Sequence, residues 1–343
     1  MSYISGDYVQ CERLQDMLDT NFLTCPTPQE NIPSLLFILQ TQFANGVSQK
    51  VSDGSGKVHT VRLVYQQRLL ESSVTEETGD RACTASGENF NEYTDYEIDP
   101  TTFLKSGEKF KTDNLATVCT DDIQSMLAKK IGMHIDVVER KIATKTALEL
   151  VAQKGSWADS VTADGSNNLV VSTFIGSAAN KVLDYTALSK IRVATMKTGY
   201  CAPMVIAGGS TLYEFGLNIN AGCCSTTGVN LLDAANQFGH AFLYDQRLET
   251  ALGDSGNRSL IMQAGSTALI WYNTAPQLPN LGAGYAKFRM KGPRTGIDFD
   301  VYLKDDCGEI NLNVYATTKL VGLPTDMFAV GDKFRGVKWV NGL

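Results

Sequence analysis

Three short stretches of this sequence hold residues that could do chemistry. Gly253-Asp254-Ser255-Gly256 places a serine between an aspartate and a glycine in an open turn. Such a hydroxyl can attack a carbonyl if a histidine takes its proton and an aspartate orients that histidine. His59 and several aspartates precede Ser255, so a His, Asp, Ser order along the chain is available. Two departures count against it. Asn257 stands where such a nucleophile turn carries a further glycine, and His59 lies in Val58-His59-Thr60-Val61, a strand pattern. The same residues are good hairpin-turn chemistry, because Gly and Asn accept positive φ. A turn is the expectation, and a hydrolase acting through Ser255 is the alternative.

Gly54-Ser55-Gly56-Lys57 has the ending of a phosphate-cradling loop, but Val51 and Val58 occupy the positions that need Gly and Ser or Thr. The segment that follows is strand-like, so no helix N-terminus would face a phosphate. Cys223-Cys224 with His240 suggests a metal site. Adjacent cysteines rarely reach one tetrahedral ion together, and two small buried side chains in a loop are expected instead. Cysteines stand at 11, 25, 83, 119, 201, 223, 224 and 307, with no CxxC spacing, which points to free thiols in a reducing compartment. His134 reads as a packed or surface histidine. The pairs Asp121-Asp122, Asp305-Asp306 and Glu76-Glu77 read as helix cap, turn and solvated loop. Asn257-Arg258-Ser259 is a glycosylation sequon, without meaning unless the chain is secreted. No cofactor and no metal is implied.

The elements around these residues carry the stronger signal. A polar arm of about a hundred residues comes first, with no core of its own. Within it, residues 9–20 pattern as a short amphipathic helix, and Pro26, Pro28 and Pro33 mark an extended connector. Ser34 to Phe43 is apolar and fits helix or strand. Gly46 to Leu70 reads as a hairpin turning at Asp53–Gly56, with Val58 to Tyr65 as its second strand. Glu71 to Lys109 is polar and acidic. A long helix is predicted from about Asp121 to Lys154. Ile123, Leu127, Ile131, Ile135, Val138 and Ile142 form one apolar stripe, with Lys129, Lys130, Glu139, Arg140 and Lys141 off it. Thr120 suits its N-cap and Gly155 its stop.

Beyond the helix, 169–175 reads as a strand, 182–196 as a helix, 203–207 as a buried strand and 211–215 as a short helix. A Gly/Cys/Asn-rich loop fills 216–228. Segments 241–250 and 259–262 flank the turn at 253–257, and 268–272 is apolar. Ile297–Leu303 and Glu309–Leu320 look like an antiparallel pair.

Bulk composition bounds the function. The chain has 343 residues, 43% hydrophobic and 20% charged, with net charge −7. A grip on phosphates needs clustered Lys and Arg, so direct nucleic-acid binding is disfavoured. An acidic wall can still enclose DNA without adhering to it. MSYISGDYVQ lacks the charged and apolar regions of a secretory leader, and the longest apolar run, Leu35 to Leu39, is far too short to span a bilayer. No membrane association is expected.

In layout the chain resembles the major capsid proteins of tailed phages, whose fold is shared with encapsulins and the herpesvirus capsid floor. Gly46 to Lys109 looks like that family's N-arm and extended loop, and the 121–154 helix like its spine helix. DYTALSKIRVATM followed by APMVIAGGSTLYEFGL is similar to the helix, strand and short helix that open the axial domain. FLYDQRLETALGDSGNRSLIMQAGSTALIWYN looks like that domain's later part. IDFDVYLKDDCGEINLNVYATTKL resembles the strands that close the peripheral domain.

The resemblance implies an α+β fold with an N-terminal arm (1–45), an extended hairpin loop (46–110) and a peripheral domain with the spine helix (111–182). An axial domain (183–275) and returning strands with a C-terminal segment (276–343) complete it. It implies a non-enzymatic subunit of a virion, self-assembling in the host cytoplasm as hexamers and pentamers of an icosahedral shell around double-stranded DNA. An encapsulin-like compartment or a tail component is the structural alternative. Portal protein, and scaffold or decoration proteins, would be its partners. Arg62, Arg68, Arg81, Glu88, Lys105 and Lys109 are candidates for contacts between subunits. Asn218, Asn220, Cys223 and Cys224 would lie toward the capsomer axis.

Overall fold

A computed structural model describes residues 35, 36, 39, 59–66, 91–99, 101–111, 122–155, 169–170, 174–175, 182–183, 191–196, 204–208, 210, 240–253, 258–263, 266–271, 285–306, 309–322 and 334–341. Its largest element is helix α1, Asp122–Gln153, 32 residues long. At ~1.5 Å per residue it is a rod of roughly 48 Å. Leu127, Ile131, Ile135, Val138 and Ile142 are buried, so the apolar stripe faces inward as its spacing requires. Ala143, Ala147 and Leu150 extend the same seam toward the C-terminal end.

Before α1 come β1 (His59–Gln66), β2 (Asn91–Ile98) and β3 (Leu104–Lys111). β1 and β2 form an antiparallel ladder from His59↔Ile98 to Gln66↔Asn91. The strand expected at 58–65 is thus present, with its partner inside the polar, acidic stretch from Glu71 to Lys109. The expected turn at 53–56 lies outside the described residues. β3 does not continue this hairpin. It pairs with β14 (Glu309–Ala316), which pairs with β13 (Asp298–Asp306) and then β12 (Tyr285–Lys291), all antiparallel. A loop boundary drawn at residue 110 therefore cuts through a strand of this four-stranded sheet.

The sheet alternates with period two, as a sheet with one covered face must. Phe288, Phe299, Val301, Leu303, Leu312 and Val314 point into one hydrophobic core with the buried face of α1. Tyr302, Lys304, Asn311, Asn313 and Tyr315 alternate with them and are partly exposed. Leu35, Leu36 and Leu39, where the backbone is helical, are fully buried in that core. The ambiguous apolar run at 34–43 is thus helical where it is described.

A second, six-stranded sheet has the order β4-β16-β10-β8-β9, with β5 also paired to β16. Its strands are β4 (Lys154–Gly155), β5 (Leu169–Val170), β8 (Met204–Gly208), β9 (His240–Tyr244), β10 (Arg258–Gln263) and β16 (Phe334–Asn341). Helix α2, Gln246–Leu252, contacts β8, β10 and α1. Its N-cap Asp245 accepts from the Arg247 N–H at 2.9 Å and, through its other oxygen, from the Leu35 N–H at 3.1 Å. Gly253 ends α2 at φ 70°, a left-handed value that glycine adopts without strain. A further pair, β11 (Thr267–Trp271) with β15 (Thr318–Gly322), also contacts α1's surroundings. The Tyr96 hydroxyl donates to the Gly322 carbonyl, and Lys319 Nζ donates to the Glu97 carbonyl at 2.7 Å. The base of the β1–β2 hairpin is thereby tied to β15.

Several expectations are corrected by pairing that local pattern does not reveal. The segment 169–175 is not one strand: Leu169–Val170 pairs with β16, whereas β6 (Phe174–Ile175) pairs with β7 (Val182–Leu183). Residues 182–183 are consequently extended, and the helix expected from 182 is described only at 191–196. The strand expected over 309–320 breaks after Ala316, and its last part leaves to pair with β11. The short helix expected at 211–215 lies outside the described residues.

Candidate functional site

The chemistry-bearing stretches assemble no constellation among the described residues. Gly253 is a helix cap, and Asp254, Ser255 and Gly256 lie outside the described residues, as do Gly54–Lys57. His59 stands opposite Ile98 in the β1–β2 ladder, and His240 opposite Met204 at the start of β9. Among the described residues no group of three or more His, Cys, Asp or Glu could hold a metal ion. None of the described helices is long and apolar enough to cross a membrane.

Three of the contact candidates can be placed. Arg62 lies opposite Asp95 in the β1–β2 ladder. Lys105 and Lys109 are on the exposed side of β3. Lys109 Nζ donates to Glu309 Oε2 at 2.8 Å across the β3–β14 pair. That hydrogen bond raises the Lys109 pKa and lowers that of Glu309. Lys105 Nζ sits 5.7 Å from the Tyr315 ring centre, and Tyr315 meets Phe103 and Tyr302 edge to face. Arg68, Arg81 and Glu88 lie outside the described residues, as do Asn218, Asn220, Cys223 and Cys224.

β3 is the last strand of its sheet, so among the described residues its outer edge is unpaired. Beside that edge runs α1. An open groove of about 530 Å³ lies between them, lined by Leu104, Lys105 and Ser106 from β3 and by Val137, Val138, Arg140, Lys141 and Thr144 from α1. Polar contacts also join β3 to α1. Lys130 Nζ donates to Glu108 Oε1 at 2.6 Å, and Ser106 Oγ lies 2.7 Å from His134 Nδ1. The outward side of α1 leaves Met133 70%, Val137 47% and Leu148 56% exposed. An exposed apolar row next to an unpaired strand edge is an association hazard unless something covers it.

On the opposite side of the groove the helix carries a buried polar cluster. Glu139 is only 1% exposed, although its position appeared to lie off the apolar stripe. Its Oε1 accepts from Thr295 Oγ1 at 2.5 Å. Burial pushes its pKa up to about 7; the Thr295 hydrogen bond opposes this, and the Asp136 charge reinforces it. Asp136 is bound by two arginines, Arg294 at 3.1 Å and Arg140 at 2.9 Å. Thr295 and Arg294 come from the turn between β12 and β13, so this cluster joins the helix to the sheet. The sequence held one signal for it. Glu139 lies four residues from both Ile135 and Ala143, within the buried arc.

No family model matches the chain, and no curated protein matches it. It is similar to several solved structures. One is the capsid of Ralstonia phage GP4, with 11% identity, 86% of each chain covered and a TM-score of 0.47. Another is the capsid of an empty GTA particle, at 13% identity, covering 89% of this chain and 96% of that one, TM-score 0.41. A third is the mature capsid of bacteriophage PhiM1, at 12% identity, covering 87% and 86%, TM-score 0.41.

Proposed function

We propose that the chain is a shell-building subunit, a major capsid protein of the tailed-phage type. The observation that carries this reading is the β3 edge, unpaired among the described residues, beside a groove and an exposed apolar row on α1. Neighbouring copies would cover both. In this reading α1 is the spine of a peripheral domain, with the β12-β13-β14-β3 sheet packed along it. β8, β9, β10 and α2 belong to an axial domain, with Asn218, Asn220, Cys223 and Cys224 on its axis-facing loop. Arg62, Arg68, Arg81, Glu88, Lys105 and Lys109 contribute to contacts between copies, many of them individually modest. Hexamers and pentamers close into an icosahedral virion shell. Double-stranded DNA is enclosed without specific binding, consistent with the net charge of −7. Portal, scaffold or decoration proteins are its further partners.

Val137→Asp tests the reading. A carboxylate there stays solvated in the single subunit but would be buried by a neighbour. The variant should melt like the unmodified chain and form no large particles by sedimentation. Particles formed as readily as before would remove the groove from the assembly surface.

A further inference from the structure

Shell building leaves unexplained why a carboxyl group is buried at the joint between α1 and the sheet. Glu139 lies beneath the turn that links β12 to β13. The turn is tightly made: Gly292 N–H donates to Ile297 O at 2.8 Å and Gly296 N–H to Gly292 O at 2.7 Å, with Gly296 at φ 68°. Thr295 Oγ1 accepts from the Ile297 N–H at 3.4 Å and donates to Glu139. A side chain at Gly292 would collide with Glu139 Oε1, with Phe299 and with Thr295. The turn therefore rests directly on the carboxyl group.

The charged groups facing Glu139 are Asp136 on its own helix and Arg294 on the turn; Phe299 adds an apolar wall from β13. Arg294 and Arg140 both bind Asp136, one on each oxygen. Glu139 Oε2 has no hydrogen-bond partner among the described residues. An ionised Glu139 would be favoured by the Thr295 hydroxyl and backbone N–H and by the Arg294 charge, but burial and the Asp136 charge oppose it and Oε2 stays bare, a costly arrangement away from water. A neutral carboxyl fits the same space without that cost.

We propose that Glu139 is a proton-controlled latch between the long helix and the 292–297 turn, seated when the carboxyl is neutral and loosened when it ionises. It holds whether or not the chain builds shells. Its window follows from the two states. The seated carboxyl keeps its proton up to about pH 7, whereas a freed one has the ordinary value of 4.5. Seating is therefore fully favoured below about 4.5 and is progressively lost as pH rises through about 7.

The test is amide hydrogen exchange of the full chain at Gly292 and Gly296, from about pH 5.5 to about 8.5, corrected for intrinsic exchange. The expected result is a drop in protection of roughly tenfold or more through neutrality, since each unit of pKa difference is a factor of ten. Glu139→Gln keeps the shape without the titration, so its protection should not vary with pH. Thr295→Val removes a hydrogen bond that favours the ionised form, so its drop should move to higher pH. His134 contacts Ser106 and Glu108 on β3, not the turn, and is retained in both variants. Flat protection in the unmodified chain, or a drop that persists in Glu139→Gln, overturns the latch. If Glu139→Gln does not fold, Thr295→Val decides: a midpoint that stays put or falls overturns it.

Discussion

Ile131 and Glu139 lie two turns apart on one helix and are equally buried, yet burial asks different things of them. Ile131 contributes apolar area to a core shared with the sheet. Ile131→Asp would set an unpaired carboxylate in that seam, and a loss of several kcal/mol is expected in chemical denaturation. Gly292 is constrained by contact rather than by φ. Gly292→Ala should cost more than about 1 kcal/mol, because the added methyl meets Glu139, Phe299 and Thr295 at once. Ile131 was legible in the sequence, since apolar spacing reports a stripe directly. Glu139 was not, because a carboxylate in the buried arc looks like surface until its partner, over 150 positions away, is known. Ser255 stays a matter of local chemistry: wild-type protein should remain unlabelled by a fluorophosphonate probe, since a serine without a base is a poor nucleophile. Stoichiometric labelling that disappears in Ser255→Ala would move the hydrolase reading to first place.

Among elements, α1 and the β13–β14 pair were legible because each buries residues at its own period over many positions. β3 was hidden. Leu104 and Phe110 are the only large apolar residues in its LKSGEKFK, so its sequence resembles a solvated loop. It becomes a strand because β14 offers eight paired positions and α1 supplies Lys130 and His134 as polar partners. Position in the sheet also decides which part of the first hundred residues can be removed without unfolding the core. A deletion reaching Lys109 would remove a sheet strand and unfold the core. Removing 67–90 alone, with a short glycine turn in its place, spares both strands of the β1–β2 ladder. That variant should keep the melting behaviour of the full chain and lose large particles. Shells formed without 67–90 would show that the hairpin tip is dispensable for assembly.

At the scale of the molecule, one long helix followed by mixed helix and strand was readable in the sequence. Long-range pairing was not readable. The last strand, β16, enters the middle of the six-stranded sheet beside β10, and β4 and β5 join it from before and after the same gap in sequence. No local pattern specifies such neighbours. What the whole chain does is decided most directly by negative-stain imaging of the purified full-length protein, at a concentration high enough for assembly. The account predicts closed, icosahedral shells of uniform size. A field of monomers or small oligomers under every assembly condition, or open tubes in place of shells, would contradict it.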